Sequence, residues 1–286
     1  MNRIDKKFRE LKIQKRKAFI AYICAGDPDL ATTKQLVIEL EKAGVDMVEL
    51  GVPFSDPLAD GPTIQRASQR ALKNKVNLDS IFSLIRSLRK TVDMPILLMT
   101  YYNPVYSYGV SRFARDAKKA GADGVIVPDL SLEESGDLTA ASKVNGFNTV
   151  FMAAPTSTND RLRYIASRSK GFIYYVSLTG VTGARKSLPH MVREDIRRIR
   201  RITSKPLCVG FGVSTPKQVR QLSGFCDGVI VGSAIINKLE SCLADKKNIA
   251  KKVARFVKGL IRGVDPSALR PQDGPSLHKK TSPGAR

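Results

Sequence analysis

Two carboxylates are the best candidates in this sequence for acid–base catalysis. Glu49 lies near the end of the apolar run DMVEL (46–50), and Asp60 lies on the following loop, GVPFSDPLADGP (51–62). A carboxylate within an apolar strand is costly to bury unless it is paired or used. A strand carboxylate and a loop carboxylate together provide acid–base catalysis without histidine. Two structural alternatives stay open: Glu49 bonded to backbone or to a tyrosine, and Asp60 capping the next helix.

Two glycine-bearing turns near the end of the chain predict an anion site. VGFGVST (209–215) contains Gly212, and IVGSAI (230–235) contains Gly232 and Ser233. Each turn follows an apolar run and opens a helical pattern, so backbone N–H groups are available to a phosphate. The alternative is a pair of tight turns that bind nothing.

The sequence has few residues that could bind a metal ion, and we predict no metal site. The chain has four cysteines without C-x-x-C spacing and only two histidines, His190 and His278. Catalysis is therefore expected to rest on carboxylates. The cysteines favour a reducing compartment, and the charged N-terminus is unlike a signal peptide. No run of eighteen apolar residues occurs, so we expect a cytoplasmic protein without membrane contact.

The elements that must position these residues alternate regularly along the chain. Short apolar runs typical of buried parallel strands occur at 18–24, 46–50, 95–102, 123–128, 148–153, 171–177, 206–212 and 226–232. Helical patterns occur at 30–43, 62–73, 78–91, 111–120, 132–144, 159–169, 189–202 and 215–223. Glycines at 44, 121, 146 and 171 are predicted to end four of these helices.

Eight strand–helix units within about 250 residues predict an α/β protein with a (β/α)₈, or TIM, barrel. An extra helix is expected after strand 2, and an additional N-terminal helix over 2–14 is expected to cover the barrel bottom. A doubly wound sheet is disfavoured because the first turn, CAGDP (24–28), lacks G-x-G-x-x-G. We expect one barrel domain over 1–263 and a disordered basic tail over 264–286.

The basic excess of +22 is concentrated in three segments, 1–17, 185–205 and 246–286. The only aromatic residues in these segments are Phe8 and Phe256. Nucleic-acid proteins usually interleave basic and aromatic residues, so specific nucleic-acid binding is disfavoured. A basic protein that associates with RNA stays a competing hypothesis.

Several motifs, taken together, resemble the α subunit of tryptophan synthase over roughly residues 1–260. They are AGDPD (25–29), VELGVPFSDPLADGPTIQRASQRAL (48–72), NP (103–104), VPDL (127–130), Tyr175, TGVTGAR (179–185) and GFGVST (210–215). The resemblance implies a lyase that cleaves indole-3-glycerol phosphate to indole and glyceraldehyde 3-phosphate in tryptophan biosynthesis. It implies no cofactor in this chain and a β-subunit partner, in an α₂β₂ heterotetramer, that uses pyridoxal phosphate. Cys24, Ser131 and the longer tail depart from the family pattern.

The same resemblance assigns roles to individual residues. Glu49 and Asp60 match the catalytic pair, Tyr175 matches the tyrosine beside the glutamate, and Tyr22 lies against the indole. Further matches are Thr182 on a closing loop and the phosphate-binding positions Gly183, Gly212, Gly232 and Ser233. We also expect Pro53 and Asp56, as exposed residues of the loop 51–62, to contact the β subunit. Two alternatives keep the barrel, namely a degenerate subunit that only activates its partner and a phosphosugar isomerase.

Overall fold

Eight parallel strands close into a barrel in chain order, with the last strand beside the first. The structure is a computed structural model that describes residues 1–176, 188–210 and 212–264. The strands are β1 (Ala18–Cys24), β2 (Met47–Gly51), β3 (Ile96–Met99), β4 (Gly124–Ile126), β5 (Asn148–Ala153), β6 (Ile173–Val176), β7 (Leu207–Gly210) and β8 (Gly228–Val231). The predicted (β/α)₈ barrel is confirmed.

Twelve α-helices are formed by the described residues. They are α1 (Arg3–Ile13), α2 (Leu30–Lys42), α3 (Pro62–Lys73), α4 (Leu78–Leu88), α5 (Tyr102–Tyr108), α6 (Val110–Ala120), α7 (Gly136–Val144), α8 (Asn159–Arg168), α9 (Leu188–Arg200), α10 (Pro216–Ser223), α11 (Ser233–Glu240) and α12 (Ile249–Ile261). The extra helix expected after strand 2 is present, because both α3 and α4 lie between β2 and β3. None of these helices is long and apolar enough to cross a membrane.

The N-terminal helix closes the bottom of the barrel, as predicted. Ile4, Phe8 and Leu11 of α1 are buried against the inward-facing side chains of the strands. The Phe8 ring lies 5.8 Å from that of Phe172, just before β6. The open end of the barrel is therefore the end where the strands finish, which is where enzymes of this fold place their chemistry.

Inward and outward side chains alternate along each strand. The inner group, which packs with α1, includes Ile20, Met47, Leu97, Ile126, Val150, Phe172, Tyr174, Cys208 and Ile230. The residues between them point outward and pack against the helices in a second cluster. This alternation decides which strand residues can reach a site inside the barrel.

Helix boundaries follow the sequence patterns with a few differences. The four glycines expected to end helices all have positive φ, which favours glycine. The third strand ends at Met99 rather than continuing to 102, because the N–H of Tyr102 donates to the Asp129 carboxylate (2.9 and 3.1 Å) as α5 begins. The helix over 132–144 begins only at Gly136, and the helix over 78–91 ends at Leu88.

The chain continues in an ordered way through Val264, which is buried. The predicted tail over 264–286 otherwise falls outside the described residues.

Candidate active site

Glu49 occupies the centre of the open end of the barrel. It lies on the inner face of β2, in register with Tyr22 of β1 and Leu97 of β3. The residue is fully buried, and neither carboxyl oxygen has a hydrogen-bond partner among the described residues. Burial raises the pKa of Glu49 to about 8. No backbone group or tyrosine among the described residues bonds to Glu49, which disfavours the structural alternative, and a pKa of about 8 favours the protonated acid at neutral pH.

Tyr22 lies directly beside Glu49, where the sequence placed an aromatic wall. A Cβ at Gly51, two residues after Glu49, would lie 2.2 Å from the Tyr22 Oη. Only glycine at position 51 therefore leaves room for the ring. Burial, followed by the charges of Cys24, Asp60 and Glu49, raises the pKa of Tyr22 well above its ordinary value. Its hydroxyl therefore stays protonated and can donate a hydrogen bond.

The tyrosine that accompanies Glu49 is Tyr174, and the expectation for Tyr175 is wrong in its placement. Tyr175 is buried on the outer face of β6, and its hydroxyl donates to the Asp195 carboxylate of α9 (2.5 Å). Tyr174 is on the inner face, where a Cβ at Gly210 would lie 2.6 Å from its hydroxyl oxygen. Burial and then the nearby Glu49 raise the pKa of Tyr174 well above its ordinary value. The two neighbours face opposite ways because side chains alternate along a strand.

Conservative changes at these two tyrosines should separate their roles. Tyr174→Phe is expected to lower kcat/KM about tenfold, since one hydrogen-bond donor beside the carboxylates is lost. Tyr175→Phe should leave kcat/KM unchanged and lower the free energy of unfolding by about 1 kcal/mol, since Asp195 loses a partner. Steady-state kinetics and urea unfolding of both variants check this. A lower kcat/KM in Tyr175→Phe, with Tyr174→Phe unchanged, would show that Tyr175 and not Tyr174 acts in the site.

Asp60 is held at the mouth of the barrel by Tyr101, a residue that the sequence analysis missed. The Tyr101 hydroxyl accepts the N–H of Ala59 (2.9 Å) and lies near enough to the Asp60 carboxyl to affect its pKa. Burial raises the pKa of half-buried Asp60, and the Tyr101 hydroxyl opposes the shift. The N-cap of α3 is Gly61, without any side-chain cap, so Asp60 is not a capping residue. The charge of Asp60 contributes, after burial, to the raised pKa of both Tyr22 and Tyr174.

An ion-pair network ties α3, the helix after Asp60, to α11. Arg70 of α3 makes a bidentate pair with buried Asp27 (2.7 and 2.9 Å) and also contacts Glu240 of α11 (2.8 Å). Arg66 binds the same Glu240 carboxylate through two hydrogen bonds of 2.9 Å, and these hold the pKa of Glu240 low, at about 2. The network positions the two helices whose first turns border the barrel mouth. This network could not be predicted from residue spacing, because its members are up to about 210 residues apart in the sequence.

The two glycine-bearing turns differ in whether a side chain caps the backbone N–H groups of the helix that follows. At α10 the start is self-capped, because the Thr215 hydroxyl and the Gln218 side chain satisfy each other's backbone N–H groups. At α11 the N-cap is Gly232, which provides no side chain, and Ser233 in the first turn is exposed. A Cβ at Gly232 would lie 3.3 Å from the Tyr22 ring, so this helix start adjoins the tyrosine beside Glu49. Gly212 is exposed, with open space where a Cβ would stand.

Four further residues were predicted to bind the substrate or the partner, and the structure describes two of them. Thr182 and Gly183 lie outside the described residues. Asp56 is exposed, but Pro53 is buried, so the expectation that Pro53 is exposed is wrong. Pro53 lies two residues after the end of β2. The N–H of Val52, between them, donates to the Met99 carbonyl of β3 (2.8 Å), and this pairing keeps the start of the loop inside the fold. In the described part of the chain, no group of three or more His, Cys, Asp or Glu residues could hold a metal ion.

Comparison with known proteins decides the family. The family model described as "Tryptophan synthase alpha chain" matches residues 8–264. The chain belongs to the tryptophan synthase alpha chain family. The Geotalea daltonii alpha chain is 47% identical over 264 residues, which cover 92% of this chain and 99% of that protein. The Thermoanaerobacter alpha chain is 44% identical over 260 residues, or 91% of this chain and 98% of that protein.

A solved structure agrees with the sequence relatives. The crystal structure of tryptophan synthase subunit alpha from Legionella pneumophila superposes with a TM-score of 0.86 at 37% identity, covering 92% of this chain and 98% of that one. The predicted membership of the tryptophan synthase alpha family is confirmed, and with it the enzyme class, a lyase of tryptophan biosynthesis.

Proposed function

We propose that Glu49 and Asp60 cleave indole-3-glycerol phosphate to indole and glyceraldehyde 3-phosphate by a retro-aldol reaction. The observation that carries this assignment is that Glu49 is fully buried and unpaired among the described residues, and this burial raises its pKa to about 8. An unpaired buried carboxyl destabilises the fold, so a use in catalysis explains its presence better than a structural role. The surrounding tyrosines and Asp60 supply the remaining polar groups of the pocket.

The chemistry needs one proton to be delivered and one to be removed. Glu49 donates its proton to C3 of the indole ring, which creates a positive charge near the ring nitrogen. Asp60, ionised, accepts a hydrogen bond from the ring N–H and stabilises that charge. The Glu49 carboxylate then takes the proton of the hydroxyl on the adjacent carbon as the carbon–carbon bond breaks. An aldehyde and indole leave, and Glu49 has recovered its proton.

The substrate is oriented from both ends. Tyr22 and Tyr174 form the wall against which the indole packs, and their protonated hydroxyls lie near the carboxylates. The phosphate is assigned to the open start of α11, at Gly232 and Ser233, with Gly212 leaving space opposite and Gly183 as a further donor. Thr182 is assigned to the closing loop beside Asp60.

Release of indole from indole-3-glycerol phosphate by the purified chain tests the proposal. Glu49 must be protonated to act first as an acid, so kcat/KM should fall as pH rises through about 8. Protonation of Asp60 should lower kcat/KM on the acid side, giving a bell-shaped profile. No indole release, with or without a β subunit, would favour the degenerate activating subunit. A kcat/KM that keeps rising above pH 9 would remove Glu49 as the acid.

We further propose that the chain works with a tryptophan synthase β subunit in an α₂β₂ heterotetramer. That partner carries the pyridoxal phosphate with which indole is joined to serine. The mouth of the barrel offers a docking surface on the loop 51–61, where Asp56 is exposed and Leu58 is 95% exposed. Docking there reaches Asp60 two residues beyond Leu58, which makes lyase activity depend on the partner. A cytoplasmic location is favoured by the four buried free cysteines.

Variants of this loop should affect the partner more than the chemistry. Leu58→Ser and Asp56→Asn are each expected to raise the β-subunit concentration for half-maximal stimulation about tenfold, since an interface contact is lost. Activity of the isolated chain should change less than twofold. Val144→Ser, which alters a side chain 87% exposed on α7, is the matched control. Equal losses with and without the β subunit would place the loop residues in the chemistry instead.

A further inference from the structure

A second cavity, of about 810 Å³, lies at the opposite end of the barrel from Glu49. Its walls are the start of β5, the last turn of α6, the length of α7, the start of α1 and the segment that joins α8 to β6. Volumes of this order hold small organic ligands in other proteins. The reaction described above has no use for this end of the barrel.

Three buried polar side chains of this cavity have no partner. Ser142, Asn148 and Thr149 line it and are 1%, 8% and 3% exposed. Ser142 Oγ, Asn148 Nδ2 and Thr149 Oγ1 make no hydrogen bond within the described part of the chain. Five buried side-chain atoms in that part share this state, and the other two are the Glu49 carboxyl oxygens. Unpaired buried side-chain polar atoms therefore occur at Glu49 and here, and nowhere else among the described residues.

The rim of the cavity is strongly basic. Lys118, Lys143, Arg168 and Lys170 line it, against a single acidic residue, Asp5. Lys143 and Lys170 are exposed, and Lys118 donates to the Gly146 carbonyl (2.8 Å) while keeping two further N–H donors. A positive rim above neutral buried donors is complementary to an anion with additional oxygen atoms.

We propose that this cavity is a binding site for a small organic anion. Its carboxylate or phosphate group is held by Lys143, Lys170 and Arg168. Its neutral oxygen atoms accept hydrogen bonds from Asn148 Nδ2 and from the Ser142 and Thr149 hydroxyls. These three polar atoms are covered in the structure, so binding turns their side chains toward the cavity. Because the first turn of α1 forms one wall, the bound anion also holds α1 in place at the bottom of the barrel. The proposal is independent of the lyase reaction.

Citrate and inorganic phosphate are suitable probes, one for each kind of anionic group. NMR titration of ¹⁵N-labelled full-length protein should show saturable shifts of the Asn148 side-chain amide and of the Thr149 and Lys143 backbone amides. The probe with the lower dissociation constant identifies the preferred group. Shifts at Gly232 and Ser233 with phosphate belong to the active site and are scored separately. If neither probe at 50 mM gives saturable shifts at Asn148, the proposal is wrong.

Matched variants sharpen the test. Lys143→Gln with Lys170→Gln changes two exposed side chains and should weaken binding at least tenfold, whereas Lys119→Gln, on the same helix as Lys118 but outside the cavity, should not. Thr149→Val removes an unpaired hydroxyl, so it should raise the Tm of the free protein while weakening binding severalfold. A lower Tm for Thr149→Val, or equal affinity in all variants, overturns the assignment.

Discussion

Replacing Glu49 with glutamine is expected to abolish indole-3-glycerol phosphate cleavage while making the protein more stable at neutral pH. Glutamine can neither deliver nor take up the proton, so turnover should fall by at least about 10³-fold. The amide matches the protonated acid in shape, so substrate binding should persist. Indole release and binding of glycerol phosphate measure the two effects, with Glu39→Gln, a surface change beside Lys42, as the control.

The gain in stability follows from the pKa of Glu49. The pKa is about 8 in the folded chain against 4.5 for an ordinary glutamate. Between these values the unfolded chain loses a proton that the folded chain retains, so rising pH favours the unfolded chain. The penalty is absent below about pH 4, reaches roughly 3 kcal/mol at pH 7 and is constant above about pH 8. Glutamine has no such penalty.

Urea unfolding at several pH values tests this second part. The free energies of unfolding of Glu49→Gln and the parent protein should agree near pH 4 and diverge as pH rises, with the variant more stable. Parallel curves over that range would show that Glu49 is ionised and paired in the folded chain, which contradicts its assignment as the acid.

Replacing Asp60 with asparagine should lower kcat by about 10²–10³-fold. Asparagine can still accept a hydrogen bond from the ring N–H, but it has no charge to stabilise the positive ring nitrogen as it forms. The Tyr101 hydroxyl still accepts the Ala59 N–H in this variant, so the loop should keep its position. The loss should therefore appear in kcat more than in KM.

Two further variants isolate the charge of Asp60 from its placement. Tyr101→Phe keeps the carboxylate but removes the hydroxyl near it and the acceptor of the Ala59 N–H, so a smaller loss of about tenfold is expected. Asp160→Asn, at a carboxylate 94% exposed on α8, should leave kcat unchanged. If Asp60→Asn kept the parent kcat, the charge at this position would have no part in the reaction.

Much of the molecule could be predicted from local patterns. Apolar runs alternating with amphipathic ones specify strands and helices, and eight such pairs leave few arrangements other than a barrel. Glu49 could be found because a carboxylate is exceptional in an apolar strand. Asp60 could be found because it follows on the loop that leaves this strand. Family motifs supported both, and such motifs depend only on residue order.

Features that depend on contacts between distant segments of the chain could not be predicted from local sequence patterns. Tyr101 is 41 residues from Asp60, and the Asn148 cavity needs segments from α1, α6 and α7 to meet. The raised pKa of Glu49 is likewise a property of its packing, because its cause is the exclusion of water by the whole barrel.

The sequence by itself determined the barrel, the two carboxylates and the family, because each is written in local residue order. Only the tertiary structure decided that Tyr174 rather than Tyr175 faces Glu49. The run GFIYYVS (171–177) is apolar on both faces because β6 packs against the barrel interior on one side and against helices on the other. Such a strand has no polar alternation to reveal its phase, and a shift of one residue exchanges every side chain between the two faces.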